Sequence, residues 1–167
     1  MGRMTVLEDE LVLLRPLTLD DSEALLAGED SEVVRWFEWP RASTIDDVAA
    51  AISRWEESWR TGGLVRQFGI FRDRVLAGTV ELQALGEDRV NVSYVVFPQY
   101  RRGGLARRSV ALVLNYAVSV LGARVAVFKM LVGNEPSRAV AVGTGAVHVG
   151  QEISEFGGAL LVYELRL

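Results

Sequence analysis

The stretch Val95-Val96-Phe97-Pro98-Gln99-Tyr100-Arg101-Arg102-Gly103-Gly104-Leu105-Ala106-Arg107 runs from an apolar strand, through a proline, into a basic glycine-rich turn and then a helix. Backbone N–H groups at a helix start have no intrahelical acceptors and sit at the positive end of the helix dipole. A diphosphate placed there accepts several hydrogen bonds at once. Glycines let its oxygens approach without a Cβ in the way, and flanking arginines add charge-assisted contacts. Many α/β proteins have a strand-to-helix loop with surface arginines, so the glycine pair alone decides little. The spacing Arg101-x-x-Gly104-x-Ala106 is more specific. Two other phosphate loops do not fit, since the turn carries neither Gly-x-Gly-x-x-Gly nor Gly-x-x-x-x-Gly-Lys.

Working outward, Val90 to Phe97 reads as a strand ended by Pro98, and Leu105 to Leu121 as a helix with Gly122 just past its end. Arg66 to Arg72 and Val75 to Leu85 form an expected hairpin turning at Asp73-Arg74, with a second turn at Gly86-Glu87-Asp88. Upstream, Leu11 to Leu17 is expected as a first strand. Thr18 and Asp21 then open a helix running to about Gly28. A short helix and loop hold the aromatic cluster Trp36-Phe37-Glu38-Trp39-Pro40. Thr44 and Asp47 open a longer helix whose apolar face is Ile45, Val48, Ala49, Ile52, Trp55 and Trp59. Downstream come a strand from Arg124 to Val132, a helix capped by Asn134, and two strands joined at Phe156-Gly157-Gly158. The expected order is β-α-α-β-β-β-α-β-α-β-β. It describes one α/β (α+β) domain over residues 1–167, with a single mixed, mostly antiparallel sheet flanked by helices.

Composition narrows the chemistry. The 167 residues are 50% hydrophobic and 24% charged, the balance of an ordinary globular domain. Without cysteine there is no disulfide framework or thiolate metal site, and one histidine, His148, excludes a multi-histidine site. No metal is expected. A thiol-free chain is compatible with a reducing cytoplasm. The net charge of −4 gives no reason to expect nucleic-acid binding. No apolar run reaches the roughly 18 residues of a membrane span, and Met1 to Met4 carry no apolar leader core.

The motif Arg101-x-x-Gly104-x-Ala106, followed by a strand and then Asn134 at the next helix start, resembles the GNAT superfamily of N-acetyltransferases. The resemblance extends from Leu11 to Leu165. Within the superfamily the chain is most similar to the RimJ/RimL group, through Leu14-Arg15-Pro16-Leu17, the Asn134-x-x-Ser137 pair and the closing Val162-Tyr163-Glu164-Leu165. The resemblance implies acetyl-CoA as cosubstrate, with its pyrophosphate on Arg101, Arg102, Gly103, Gly104, Leu105, Ala106 and Arg107. Its pantetheine arm would meet the backbone of Val95, Val96 and Phe97 and the side chain of Asn134. Two departures stand out: Thr144-Gly145-Ala146 replaces a usual Leu-Gly-Phe, and Asn91-Val92-Ser93-Tyr94 replaces a usual Glu-x-Gly-Tyr.

Amine acetylation needs a neutral amine, a polarised thioester carbonyl and a proton for the leaving sulfur. Many relatives keep a tyrosine seven residues after the Asn, where this chain has Ala141. The RimL-like pattern puts the proton donor at Ser137, on the same helix face as Asn134, and the base at Glu155, with Glu81 or water as competitors. Trp36 and Trp39 are expected to wall the acceptor groove, while Trp55 and Trp59 read as core. The expected acceptor is a primary amine, either a protein or peptide N-terminus or a small molecule, and a homodimer is among the expected assemblies. An aminoglycoside or other antibiotic acceptor is the nearest alternative, and a non-catalytic acyl-CoA-binding module is the alternative of a different class.

Overall fold

The computed structural model describes residues 5–167, so the leader reading at Met1 to Met4 lies outside the described residues. Eight strands form one sheet in the order β1-β2-β3-β4-β5-β6-β8-β7. They are β1 (Leu7–Glu8), β2 (Leu13–Arg15), β3 (Val65–Arg72), β4 (Val75–Gly86), β5 (Arg89–Val96), β6 (Val125–Leu131), β7 (Val147–Ile153) and β8 (Ala159–Arg166). Helices α1 (Ser22–Gly28), α2 (Ser31–Trp36), α3 (Ile45–Thr61), α4 (Leu105–Ser119) and α5 (Glu135–Gly143) flank it. Every pairing is antiparallel except β5 with β6, so the sheet is mixed as expected.

The first strand expected over Leu11 to Leu17 is only the three residues of β2, and a further short strand, β1, precedes it. The Asp9 carboxylate accepts hydrogen bonds from the N–H groups of Leu11 and Val12, both at 2.8 Å, and bends the chain into a turn between β1 and β2. Past β2, Arg15 donates both guanidinium arms to Asp21, and Asp21 also accepts from the Thr18 N–H. That clamp fixes the entry to α1. Helix α3 begins and ends as its sequence indicates, with a Thr44–Asp47 capping box and Gly62 closing it in the left-handed region.

Alternation sorts the side chains of the central strands onto two faces. Phe68, Ile70, Val80, Leu82, Val90 and Val92 meet Val110 and Val113 of α4 on one face. Phe71, Leu76 and Phe97 meet Leu17, Val48 and Ile52 on the other, beneath α1 and α3. Trp59 belongs to the first cluster and Trp55 to the second, so both are packing residues.

The central irregularity lies between β5 and β6. Their parallel ladder covers only Arg89↔Val125, Val90↔Ala126 and Asn91↔Val127. Beyond Asn91, β5 stays with β4 as far as Val96, while β6 stays with β8 as far as Leu131. The two strands therefore diverge around an open wedge. At its edge the Val95 carbonyl is turned onto Gly78 of β4, where a Cβ would overlap its oxygen. Gly78 is required here by close approach.

Gly78→Ala is expected to cost about 1–3 kcal/mol of stability, the range for forcing an atom into a packed site. Gly150→Ala on β7 meets no neighbouring atom within 4 Å and serves as the control, expected within about 0.5 kcal/mol of the parent. Urea unfolding of both variants measures the difference.

Candidate active site

The Val95–Val96 peptide is trans, like every other in the chain. Its carbonyl points at β4, so the Val96 N–H points the opposite way, into the wedge. Phe97 N–H donates to the Ala77 carbonyl at 2.8 Å, and the Phe97 carbonyl accepts from Tyr100 N–H at 2.9 Å. Both backbone groups of Phe97 are thus engaged, and its ring is core. The Val96 carbonyl, which a paired β6 would have bound, accepts from Arg101 Nε at 3.0 Å. Of the three residues expected to meet the pantetheine arm, Val96 is the one that offers its N–H to the wedge.

Arg101 is positioned from a second direction. Its two Nη atoms bond Asp30 at 2.8 and 3.1 Å, and Nη1 also reaches Glu32 at 3.1 Å. The hydrogen bond from Arg101 holds the Asp30 carboxyl below its ordinary range, against the opposing effect of burial. The first residue of the signature therefore ties β5 to the start of α2, and its guanidinium is occupied by this clamp.

The turn itself alternates in hand. Arg102 has φ 63° and Gly104 has φ 77°, with Gly103 between them outside the left-handed region. Such alternation points successive N–H groups toward one concavity that receives an anion. Gly104 caps α4, and the helix's first turn bond is Arg108 N–H to the Gly104 carbonyl. This leaves the amides of Leu105, Ala106 and Arg107 without intrahelical acceptors. Nothing lies within 4 Å of where a Gly104 Cβ would sit, so the space above the turn is open. Concavity, free amides and open space fit a diphosphate.

Two further arginines flank the turn. Arg107 lies against Gly143 at the end of α5, beside the groove between α4 and α5. Arg72, at the end of β3, has its Nη1 beside Gly103. Nothing in the local sequence of Arg72 marks it; the β3–β4 hairpin brings it there.

On the α5 side of the wedge, Asn134 caps the helix by accepting the Ser137 N–H at 3.3 Å, which leaves its amide nitrogen free for a ligand. Tyr94 reaches across from β5. Its hydroxyl donates to the Ser137 carbonyl at 2.7 Å, and Ser137 Oγ donates to the Tyr94 hydroxyl at 3.1 Å. Burial pushes the Tyr94 phenol up to about 12, although the Ser137 hydrogen bond acts in the opposite direction. The phenol missing at Ala141 is thus supplied beside Ser137 by a strand. Ala141 itself is fully buried.

The residues expected to face the acceptor lie on α2 and at the tip of the β7–β8 hairpin. Trp36 ends α2, Trp39 packs on Phe37 at a centroid distance of 5.7 Å, and neither tryptophan belongs to a core cluster. Glu155 stands exposed in the hairpin turn. Sequence reasoning missed Glu38, which sits in the left-handed region at φ 53°. Trp39 N–H bonds the Val34 carbonyl and Glu38 N–H bonds that of Arg35, closing α2 in the arrangement where glycine is usual. The Glu38 carboxylate lies against Gly158 at the hairpin tip.

Comparison with known proteins gives a consistent result. A family model described as an acetyltransferase (GNAT) domain matches residues 12–147. The uncharacterized N-acetyltransferase YoaA of Bacillus subtilis (strain 168) is 28% identical over 122 residues, covering 70% of this chain and 68% of that protein. Among solved structures, RimL, an alpha-N-protein acetyltransferase of a ribosomal protein, in complex with coenzyme A superposes with a TM-score of 0.87. It is 15% identical and 98% of each chain is covered. The microcin self-immunity acetyltransferase MccE, in complex with acetyl-CoA and AMP, gives a TM-score of 0.83 at 16% identity, covering 95% of this chain and 94% of that one.

Gly104→Val would place a branched side chain over the anion concavity, at a φ that only glycine adopts freely. Coenzyme A affinity is expected to fall at least tenfold, about 1.4 kcal/mol. Calorimetry on the folded variant tests this, and unchanged affinity would remove the pyrophosphate from this turn.

Proposed function

This chain belongs to the GNAT acetyltransferase family, and we propose that it moves the acetyl group of acetyl-CoA directly to a primary amine in a ternary complex. The amine is either a peptide N-terminus or a small molecule. The observation that carries this reading is the Val96 N–H, a backbone donor aimed into the wedge between β5 and β6 within reach of the anion-binding turn. Acetyl-CoA supplies an acyl thioester when bound. Arg102 to Ala106 would hold its diphosphate, with Arg107 alongside, and Asn134 would bond its pantetheine amides. The Val96 N–H would polarise the acyl carbonyl, a contribution that strengthens as charge grows on that oxygen.

Proton traffic falls to two residues. Ser137 Oγ–H, donated to the Tyr94 hydroxyl in the free protein, turns to the departing sulfur, gives it the proton, and takes back in the same step the proton that the acceptor nitrogen loses as the amide forms. Tyr94 is its positioning residue: the phenol spends its own proton on the Ser137 carbonyl and receives that of Ser137, which fixes the hydroxyl at the wedge. Because burial raises the phenol to about 12, Tyr94 stays neutral throughout the working range. Glu155, exposed in the β7–β8 turn, takes the proton of the incoming ammonium. Trp36 and Trp39 form the apolar wall past which the acceptor enters.

The RimJ/RimL likeness, supported by the superposition on RimL, favours a protein N-terminus among the acceptors. The same proposal places the enzyme in the cytoplasm, which suits a chain without cysteine. A homodimer is supported by the outer strand β7, whose Val147, Val149 and Ile153 are exposed.

Ser137→Ala is expected to lower kcat about 10–10³-fold with coenzyme A binding kept, the range for losing one positioned donor or acid. Tyr94→Phe should give a smaller loss in kcat and little change in KM, as befits a positioning residue. Glu155→Gln should cost most below the acceptor's pKa, where a base must first deprotonate the ammonium. Steady-state rates across pH decide between these roles. Full kcat in Ser137→Ala would give the sulfur's proton another source.

A further inference from the structure

The sheet face under α1 and α3 is apolar near Phe71, Leu76 and Phe97, but turns polar farther along. Gln67 of β3 pairs with Glu81 of β4, and Glu81 pairs with Ser93 of β5. The three side chains form one cross-strand row, because their neighbours Phe68, Val80, Leu82 and Val92 all point to the opposite core. Asn91, two residues from Ser93 on the same face, donates its amide nitrogen to Ser93 Oγ at 3.1 Å.

This row is short of donors. Gln67 is only 4% exposed, yet its Oε1 has no hydrogen-bond partner, and the buried Oδ1 of Asn91 has none either. Glu81 forms no hydrogen bond or ion pair among the described residues. Burial pushes its carboxyl above the ordinary range with no cation near enough to oppose it. Basic side chains on adjoining elements are engaged elsewhere. Arg66 bonds the carbonyls of Gly63 and Val65, Arg89 pairs with Glu164, and Lys129 pairs with Glu152. Buried oxygens without donors are costly and uncommon in folded proteins. Two of them, Gln67 Oε1 and Asn91 Oδ1, share one sheet face with the half-buried, unpaired Glu81 carboxylate and mark a place that a donor-rich group would complete.

We propose that Gln67, Glu81 and Asn91 form a cation subsite for the acceptor, binding an ammonium or guanidinium group set apart from the amine that is acetylated. The subsite rests on the acetyl-transfer reading above and names its substrate class: primary amines that carry a second positive charge. Val96, where the acyl carbonyl is held, stands three residues along β5 from Ser93. Glu81, the partner of Ser93, is thus about 10 Å along the strand from Val96 at 3.3 Å per residue, and Asn91, five residues from Val96, about 16 Å. A Lys- or Arg-bearing peptide or a long diamine meets that spacing. Glu81 supplies the countercharge. The Gln67 and Asn91 oxygens take the remaining N–H donors, which gives direction as well as charge.

The test compares 1,6-diaminohexane with hexylamine, two primary amines alike in chain length and different in the second charge. The parent enzyme is expected to prefer the diamine in kcat/KM by at least tenfold, and Glu81→Gln and Gln67→Leu should bring that ratio close to one. Calorimetric binding of both amines to the coenzyme A-loaded protein gives the same comparison without turnover. Equal handling of the two amines by the parent enzyme overturns the subsite and leaves acetyl transfer standing. A fall in both amines by one common factor in Glu81→Gln also overturns it, and makes Glu81 the base. If no amine is turned over while the diamine still binds preferentially, the acetyl-transfer reading fails and the cation subsite survives.

Discussion

The open wedge depends on Arg101. A parallel ladder that stops after three pairs leaves backbone groups of β5 facing empty space, and an unpaired buried carbonyl is expensive. Arg101 removes that cost at the most sensitive point. Its Nε satisfies the Val96 carbonyl, and Asp30 and Glu32 anchor its guanidinium. With the carbonyl capped from within the chain, β6 is free to leave β5 while staying paired with β8 on its other edge. The Val96 N–H is left for a ligand. One side chain thus joins the signature turn, the end of β5 and the start of α2.

Charge is distributed with the same economy. The proposed reaction divides between a basic turn of backbone amides on the α4 side and a row of oxygens on the α1–α3 face of the sheet. Arg72, Arg102 and Arg107 surround the first. Glu81, Gln67 and Asn91 make the second. A net charge of −4 conceals this division, because it averages over surfaces of opposite character. The usual carboxylate of the strand before the motif is replaced by Asn91, while Glu81 from the neighbouring strand points to the same face.

Much of the fold was legible in the sequence because its signals are local. Thr44 with Asp47 and Thr18 with Asp21 each form the capping boxes that their spacing indicates. The turns at Asp73-Arg74 and Glu87-Asp88 adopt positive φ at both residues, as tight hairpins between twisted strands require. The glycine-rich turn was legible for the same reason, being seven consecutive residues. What escaped was set by distant parts of the chain. Asp9 turns the unexpected strand β1 back onto β2 through side-chain hydrogen bonds that no periodicity encodes. Arg72 reaches Gly103 only because the β3–β4 hairpin ends beside the turn. Tyr94 meets Ser137 across 43 positions of sequence, so nothing near Ala141 in the sequence marks the phenol that β5 brings beside Ser137.

One molecule of acetyl-CoA is proposed to engage both the Arg102–Ala106 turn and the Val96 N–H. Residue-resolved amide hydrogen exchange with and without acetyl-CoA examines this most directly. Saturating ligand is predicted to slow exchange at Val96 together with the amides from Arg102 to Ala106, while amides in β1 and β2 keep their rates. Protection confined to the turn, with Val96 exchanging as in the free protein, would contradict the claim that the opened strand holds the acyl group.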